Sequence, residues 1–94
     1  MKVDVAIEKE WVEWQKQEHI PDVMASGQFI DYKFYRLLEQ EDPDATIYIV
    51  QYFSASLDNY NHYIEHMAPL LRQKAISRWG DKFISFRTIM EVVN

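Results

Sequence analysis

The stretch from residue 29 to residue 53, FIDYKFYRLLEQEDPDATIYIVQYF, decides the fold. Its two ends are dense in the aromatic and β-branched residues that strands favour, and residues 39–45 between them are acidic and turn-prone. The pattern predicts strands over residues 29–38 and 46–53, joined as an antiparallel hairpin by a loop rather than by a two-residue turn.

Helical patterns lie on both sides of this hairpin. Before it, Ile7, Trp11 and Trp14 share one helical stripe behind Asp4, which predicts a first helix with Asp4 as its N-cap. Pro21 then predicts a break at residues 19–21, followed by a short second helix over residues 22–26.

After the hairpin, the chain predicts a long helix and a final strand. Residues 54–56 are suited to cap the helix, which Pro69 is expected to kink or restart and which should end at Gly80. Residues 3–5 offer only a stub of a first strand, and residues 83–93 (FISFRTIMEVV) predict the last one. The order β-α-β-β-α-β in 94 residues predicts one domain over residues 1–94, an α+β sandwich of the ferredoxin-like kind.

Composition excludes several classes of protein. A net charge of −5 argues against a nucleic-acid binder, and no apolar run approaches the roughly 18 residues of a membrane span. The chain has no cysteine, and Met1–Asp4 do not resemble a signal peptide, so we expect a cytoplasmic protein. The bases concentrated after residue 66 either offset a helix dipole or could meet an acidic partner, and they are Arg72, Lys74, Arg78, Lys82 and Arg87.

The predicted strands are apolar on both of their faces. In the third strand Ile47, Ile49 and Phe53 alternate with Tyr48, Val50 and Tyr52, and the other strands repeat this pattern. Two helices can cover only one face of a sheet, and a sheet-sized apolar patch is rarely left in water. We therefore expect the second face to be buried against another copy, in a homodimer.

The string over residues 7–29, IEKEWVEWQKQEHIPDVMASGQF, resembles the opening of an uncharacterised bacterial family of domains of unknown function. Later strings extend the resemblance over nearly the whole chain: Glu65-His66, Ala68-Pro69, Leu71-Arg72-Gln73, Arg78 and Phe86-Arg87-Thr88. It implies a dimeric, ferredoxin-like α/β barrel and implies no activity. In that family a full strand precedes the position of Asp4, so here either the start codon is displaced or the first strand is a stub.

A dimeric barrel would give the second face an interior in which a small molecule could bind. A few polar groups in an aromatic cavity are typical of such sites, and the candidates for this pocket are His19, Arg36, Gln51, Tyr52, His66 and Arg87. Gln51 has the opposite parity to Tyr52, so these residues cannot all line one pocket, and an Arg–Glu pair across strands is an equal alternative. His19 and His66 either serve proton transfer at the barrel mouth or close helix ends, and we favour the latter.

Motifs for catalysis are weak. His62-Tyr63-Ile64-Glu65-His66 has the H-x-x-E-H form of an inverted zinc-peptidase motif, but zinc needs a third protein ligand, so we expect surface histidines and neither metal nor cofactor. There is no catalytic cysteine, G-x-S-x-G string or glycine-rich phosphate loop. The first hypothesis is therefore a homodimeric domain, with a small molecule in its barrel and no assigned catalytic residue. Two alternatives are a cofactor-independent monooxygenase or isomerase, by analogy between folds, and an adaptor that uses the basic helix.

Overall fold

Strands and helices alternate along the chain in a mixed α+β arrangement. The structure is a computed structural model and describes residues 1–39 and 42–93. The elements are β1 (Lys2–Asp4), α1 (Glu8–Trp14), a π-helical turn (Gln15–His19), α2 (Ile20–Ala25), β2 (Asp31–Arg36), β3 (Ala45–Phe53), α3 (Leu57–His66), α4 (Ala68–Trp79) and β4 (Phe83–Ile84). Among the described residues, no helix combines the length and the apolar composition that crossing a bilayer requires.

The four strands form one antiparallel sheet in the order β2-β3-β1-β4. The predicted hairpin is confirmed, because β2 pairs with β3 from Asp31 opposite Phe53 to Arg36 opposite Tyr48. In the centre of the sheet, Val3 of β1 lies opposite both Thr46 and Phe83. The predicted turn over residues 39–45 falls partly on residues 40 and 41, which lie outside the described residues.

One face of this sheet carries the helices. Val3, Phe34, Tyr48 and Phe83 all pack into the cluster around Trp11 of α1, so their side chains define the helix face. Because residues alternate along a strand, their neighbours define the opposite face, which we call the open face and which includes Lys2, Tyr35, Ile49, Gln51 and Ile84. Within the described part of the chain, the helices belong to the other side of the sheet.

Trp11 is the centre of the main hydrophobic core. Its side chain is 0% exposed, and its ring lies 5.2 Å from Tyr48, 5.7 Å from Phe83 and 6.1 Å from Phe34, measured between ring centroids. These tilted contacts link α1 to three strands. Trp14 and Trp79 are buried in the same core, with their rings 5.8 Å apart, so all three tryptophans are core residues.

The predicted helix break at residues 19–21 is wrong. The chain stays helical from α1 to α2 through the π-helical turn, in which the N–H of Ile20 donates to the carbonyl of Gln15, five residues earlier. Pro21 follows at the start of α2, where its missing N–H is tolerated. Ile20 and Val23 are 2% and 1% exposed, and this burial holds the segment against the core.

The caps of the helices agree only in part with the sequence patterns. Asp4 is not the N-cap of α1: it belongs to β1, its carboxylate accepts from the N–H of Ala6, and a turn delays the helix until Glu8. Ser56 does cap α3, because its hydroxyl accepts from the N–H of Asn59 at 3.1 Å. The restart predicted at Pro69 is confirmed, since α3 ends at His66 and α4 begins at Ala68.

The predicted last strand is much too long. Only Phe83 and Ile84 form β4, and residues 85–93, which we call the tail, have no regular secondary structure. The reason is that β4 pairs with β1, and the three-residue β1 provides partners only for these two residues. The strand propensity of the tail is real, but a strand also needs a neighbour to pair with.

Truncating the central tryptophan tests this description of the core. Trp11→Ala should lower the free energy of unfolding by roughly 3–5 kcal/mol, because it removes a large side chain that is completely buried. Leu70→Ala is the control, since Leu70 is 61% exposed on α4 and should change stability by less than about 0.5 kcal/mol. Urea unfolding followed by circular dichroism measures both, and equal losses in the two variants would contradict the core described here.

Candidate functional site

An aromatic cluster lies on the helix face near the end of β3. The ring of Tyr52 is 5.2 Å from that of Phe29 and 6.5 Å from that of Tyr32. Phe29 in turn meets Tyr63 of α3 edge to face, with the centroids 4.9 Å apart. Strand alternation points Tyr52 towards the helices. Tyr52 and Tyr63 of α3 pack against the same buried cluster, so the two phenols share one half-buried environment.

The hydroxyl of Tyr52 is buried without a hydrogen-bond partner among the described residues. Burial raises the pKa of this phenol well above its ordinary value, so the group is a neutral donor at physiological pH. The great majority of buried hydroxyls in proteins are hydrogen-bonded. The unpaired Tyr52 hydroxyl is therefore an unusual feature of this packed cluster.

Two arginines act on the neighbouring phenol, Tyr63. Burial raises the pKa of Tyr63, and the positive charges of Arg87 and Arg72 oppose this shift. Arg72 is exposed and follows Leu71 of α4, which is buried in the same cluster. Arg87 belongs to the tail. This region thus combines hydrogen-bond donors with positive charge.

A second polar region is an open cleft of about 420 Å³ between the π-helical turn and α4. Its lining residues are Trp14, Glu18, His19, Asp22, Gln73, Lys74, Ser77 and Arg78. The imidazole of His19 stacks on Trp14 at 4.8 Å, and burial lowers the pKa of His19 below its ordinary 6.5. The histidine therefore packs as a neutral ring in the helical layer.

Charges across this cleft are largely satisfied within the protein. Lys74 Nζ lies 3.7 Å from Asp22 Oδ2, and the Arg78 guanidinium sits 4.1 Å above the Trp79 ring. The Lys74–Asp22 pair joins α4 to α2, whereas the Arg78–Trp79 contact lies within α4. The cleft is consistent with a structural junction between two helices.

A third region joins the start of α1 to the sheet. The carboxylate of Glu8 accepts from Thr46 Oγ1 at 2.6 Å and from the hydroxyl of Tyr48 at 2.7 Å. These two bonds lower the pKa of Glu8, whereas burial and the bond to Glu8 raise the pKa of Tyr48 to about 12. Arg36 acts electrostatically on both groups. The Glu8 carboxylate and the two hydroxyls therefore form a partly buried network in which each group has a hydrogen-bond partner.

Of the six candidate residues, Tyr52 and Arg87 are both connected to Tyr63, because Tyr63 acts electrostatically on the Tyr52 phenol and Arg87 acts electrostatically on Tyr63. Gln51 lies on the open face, as its parity requires, and Arg36 lies beside Tyr48. His19 lines the separate cleft in the helical layer. Within one protomer the candidates thus lie in separate places, as the opposite parities of Gln51 and Tyr52 require, and a pocket completed by a second copy stays a prediction.

His66 lies exposed at the end of α3, with its ring 4.5 Å from that of His62 and its Nε2 3.8 Å from a Glu65 carboxylate oxygen. The described residues contain no group of three or more histidine, cysteine, aspartate or glutamate side chains arranged to hold a metal ion. The H-x-x-E-H string thus lies on an exposed helical surface, where a third ligand is not supplied.

Sequence reasoning missed several residues that the structure makes important. Tyr63 and Arg72 belong to the same region as Tyr52 and Arg87, although at least nine positions along the chain separate any two of these four residues. Glu8, which the helical pattern places off the apolar stripe of Ile7, Trp11 and Trp14, accepts hydrogen bonds from two sheet hydroxyls. A possible signal for Glu8 was the polar Thr46 at the start of an otherwise apolar strand, which needs a partner once it is buried.

Removing single tyrosine hydroxyls tests which phenol is paired. Tyr52→Phe should either leave the free energy of unfolding unchanged or raise it by up to about 1 kcal/mol, because the substitution deletes a buried donor that has no partner among the described residues. Tyr48→Phe is the matched comparison and should lower it by roughly 1–3 kcal/mol, because it breaks the bond to Glu8. Chemical denaturation measures both, and a larger loss from Tyr52→Phe than from Tyr48→Phe would refute these assignments.

The Glu8 network makes stability depend on pH. Because the folded-state pKa of Glu8 is depressed, its contribution is present above the ordinary value of 4.5 and is lost as the pH falls through the folded-state pKa. Stability of the wild type should therefore fall more steeply below pH 4.5 than that of Glu8→Gln. Glu10→Gln, at an exposed position of α1, should follow the wild type; parallel curves for the wild type and Glu8→Gln would contradict the network.

Comparison with known proteins places the chain in a family. The family model described as "Domain of unknown function (DUF4286)" matches residues 1–93. No curated protein matches the chain, and no solved structure matches it. Since the match covers all but one residue, the chain belongs to the DUF4286 family.

Proposed function

We propose that this chain is a homodimeric domain in which the open faces of two sheets pack together as an α/β barrel and enclose a small molecule. The observation that carries the proposal is the apolar character of the open face. Tyr35 and Ile49 lie opposite each other on this face and are 43% and 42% exposed, and Ile84 is 65% exposed. The helices pack on the other side, so a second copy is the natural cover.

The strand order supports a ferredoxin-like interpretation of the protomer. Such a fold joins four antiparallel strands by one hairpin and two helical crossovers. Here the hairpin joins β2 to β3, and helical segments connect β1 to β2 and β3 to β4. The order β2-β3-β1-β4 leaves β1 and β3 central, which suits two-sheet packing through one face.

The tail adds to the apolar surface that a partner would cover. Its exposed apolar side chains, with their exposed fractions, are Phe86 (83%), Ile89 (64%), Met90 (71%), Val92 (71%) and Val93 (93%). A stable dimer buries about 800 Å² on each partner, more than isolated exposed side chains supply. The exposed apolar side chains of the open face and of the tail therefore both favour association with a second copy.

Polar residues on the open face support a ligand inside the barrel. Lys33 lies opposite Gln51, and Asp31 lies opposite Phe53, so charged and amide groups stand among aromatic and aliphatic ones. Small-molecule sites commonly have this composition, with a few polar groups fixing the orientation of an apolar body. The cysteine-free composition also supports a cytoplasmic setting as part of this proposal.

The structure offers less support for the two alternatives. Two of the bases predicted for an adaptor surface on α4 are engaged within the protein, since Lys74 pairs with Asp22 and Arg78 packs over Trp79, and Arg72 is the exposed base that is left on this helix. An oxygenase or isomerase remains an analogy between folds and has no specific observation in its favour. The dimeric binding domain is therefore the function that the described surface supports best.

Oligomeric state is the direct test of this proposal. Sedimentation velocity should give twice the 11.3 kDa chain mass at micromolar concentration, and Ile49→Lys should shift the protein to monomers because it places charge on the open face. Leu70→Lys, at an exposed position of α4, is the control and should stay dimeric. A monomeric wild type, or an Ile49→Lys variant that remains dimeric, would overturn the proposal.

A further inference from the structure

One edge of β3 is unpaired over the second half of the strand. On this side β1 pairs with residues 45–47, and Met1 then exchanges two backbone hydrogen bonds with Tyr48. Among the described residues, no strand continues this pairing beyond Tyr48. We infer that the tail of a second copy adds to this edge as a strand. The inference rests on the proposed homodimer and specifies the segment by which each copy holds the other.

The first step of the argument is the direction of the backbone groups in β3. Both backbone groups of Tyr48 bond to Met1 on the β1 side, whereas the carbonyl of Phe53 accepts from the residue before β2 on the other side. Because this direction alternates along a strand, the N–H and C=O groups of Val50 and Tyr52 also point away from β2. In the described part of the chain, these groups have no backbone partner there. Such a row of groups is a template for an added strand.

The second step is the sequence of the tail. Residues 85–93 contain no proline or glycine and are rich in the β-branched and apolar residues that strands favour. Their apolar side chains are largely exposed, and no described strand pairs with them. In an extended tail, one face would carry Phe86, Thr88, Met90 and Val92, and the other would carry Ser85, Arg87, Ile89, Glu91 and Val93. The first face is mostly apolar and the second is mixed, which is the pattern of a half-buried strand.

The third step is the choice between the chain's own tail and the tail of a second copy. β3 and β4 both run antiparallel to β1, so they are parallel to each other, and the tail continues β4. It leaves β4 on the far side of β1, which at two strand spacings is about 9–10 Å from β3. The tail of a second copy is free to approach the edge in the antiparallel direction, which gives the more stable pairing. Two-fold symmetry then covers both edges at once.

The fourth step is the position of this edge beside the proposed interface. Ile49 and Gln51 alternate with Val50 and Tyr52 along β3, and their side chains lie on the open face. A second copy packed on the open face is therefore next to the unpaired edge, and residues 85–93 span roughly 30 Å when extended. Side-chain packing alone joins two sheet faces, whereas an added strand also contributes backbone hydrogen bonds between the copies. The exchanged tail would thus fix how the two copies are aligned.

Amide hydrogen exchange of the full chain, followed by NMR, tests the inference. The amides of Val50 and Tyr52 should exchange slowly in the wild type, because the added strand accepts from them. The double variant Thr88→Pro/Ile89→Pro removes two adjacent N–H donors of the tail, one of which faces the edge in any register. Exchange at Val50 and Tyr52 should then become roughly tenfold faster or more.

The double variant Thr88→Ala/Ile89→Ala is the matched control, because it truncates the same side chains and keeps both N–H groups. Its exchange at Val50 and Tyr52 should follow the wild type. The amide of Gln51 points towards β2, so it should stay protected in every variant and report that the protomer is folded. In mixtures of labelled and unlabelled chains, the Tyr52 amide should show NOEs to the tail of the other chain.

The outcomes separate this inference from the proposed homodimer. Fast exchange at Val50 and Tyr52 in a wild type that sediments as a dimer would overturn the inference alone, and so would equal exchange in the proline and alanine variants. A monomeric wild type would overturn both proposals. Tail NOEs that arise only within one chain would also overturn the inference, because the chain's own tail would then cover the edge.

Discussion

The packing of Trp11 between α1 and the sheet is the interaction on which the rest of the structure depends. Its ring contacts side chains from β2, β3 and β4, and Val3 of β1 lies in the same core. These contacts gather the helices on one side of a sheet whose strands are apolar on both sides. Every functional feature follows from this asymmetry, because it creates a covered helix face and an uncovered open face.

The two faces are suited to different kinds of binding. On the helix face, the aromatic cluster is packed and holds the Tyr52 hydroxyl, which is buried without a hydrogen-bond partner among the described residues. On the open face, Tyr35, Ile49 and Ile84 are exposed, and an apolar partner surface would remove them from water. The covered face therefore contributes stability, and the open face is the one available to a partner.

Local patterns in the sequence were enough to predict much of the fold and little of the candidate site. The hairpin was predictable because two aromatic-rich runs flank an acidic turn, and the core tryptophans because Trp11 and Trp14 repeat at helical spacing. The length of β4 was not predictable from local patterns, since it is set by the three residues of β1. The continuous helix at Pro21 was not predictable either, because it depends on the burial of Ile20 and Val23 in the tertiary structure. Tyr63 and Arg72 could not be joined to Tyr52 and Arg87 because only tertiary packing brings these segments together.

The most direct test of the one-sided sheet is an isotope-filtered NOE experiment on a mixture of labelled and unlabelled chains, which detects only contacts between copies. The account predicts intermolecular NOEs from the Ile49 and Ile84 methyl groups, with Tyr35 among their partners, and none from Leu70 on α4. Intermolecular NOEs confined to α4, or their absence at the open face, would contradict it.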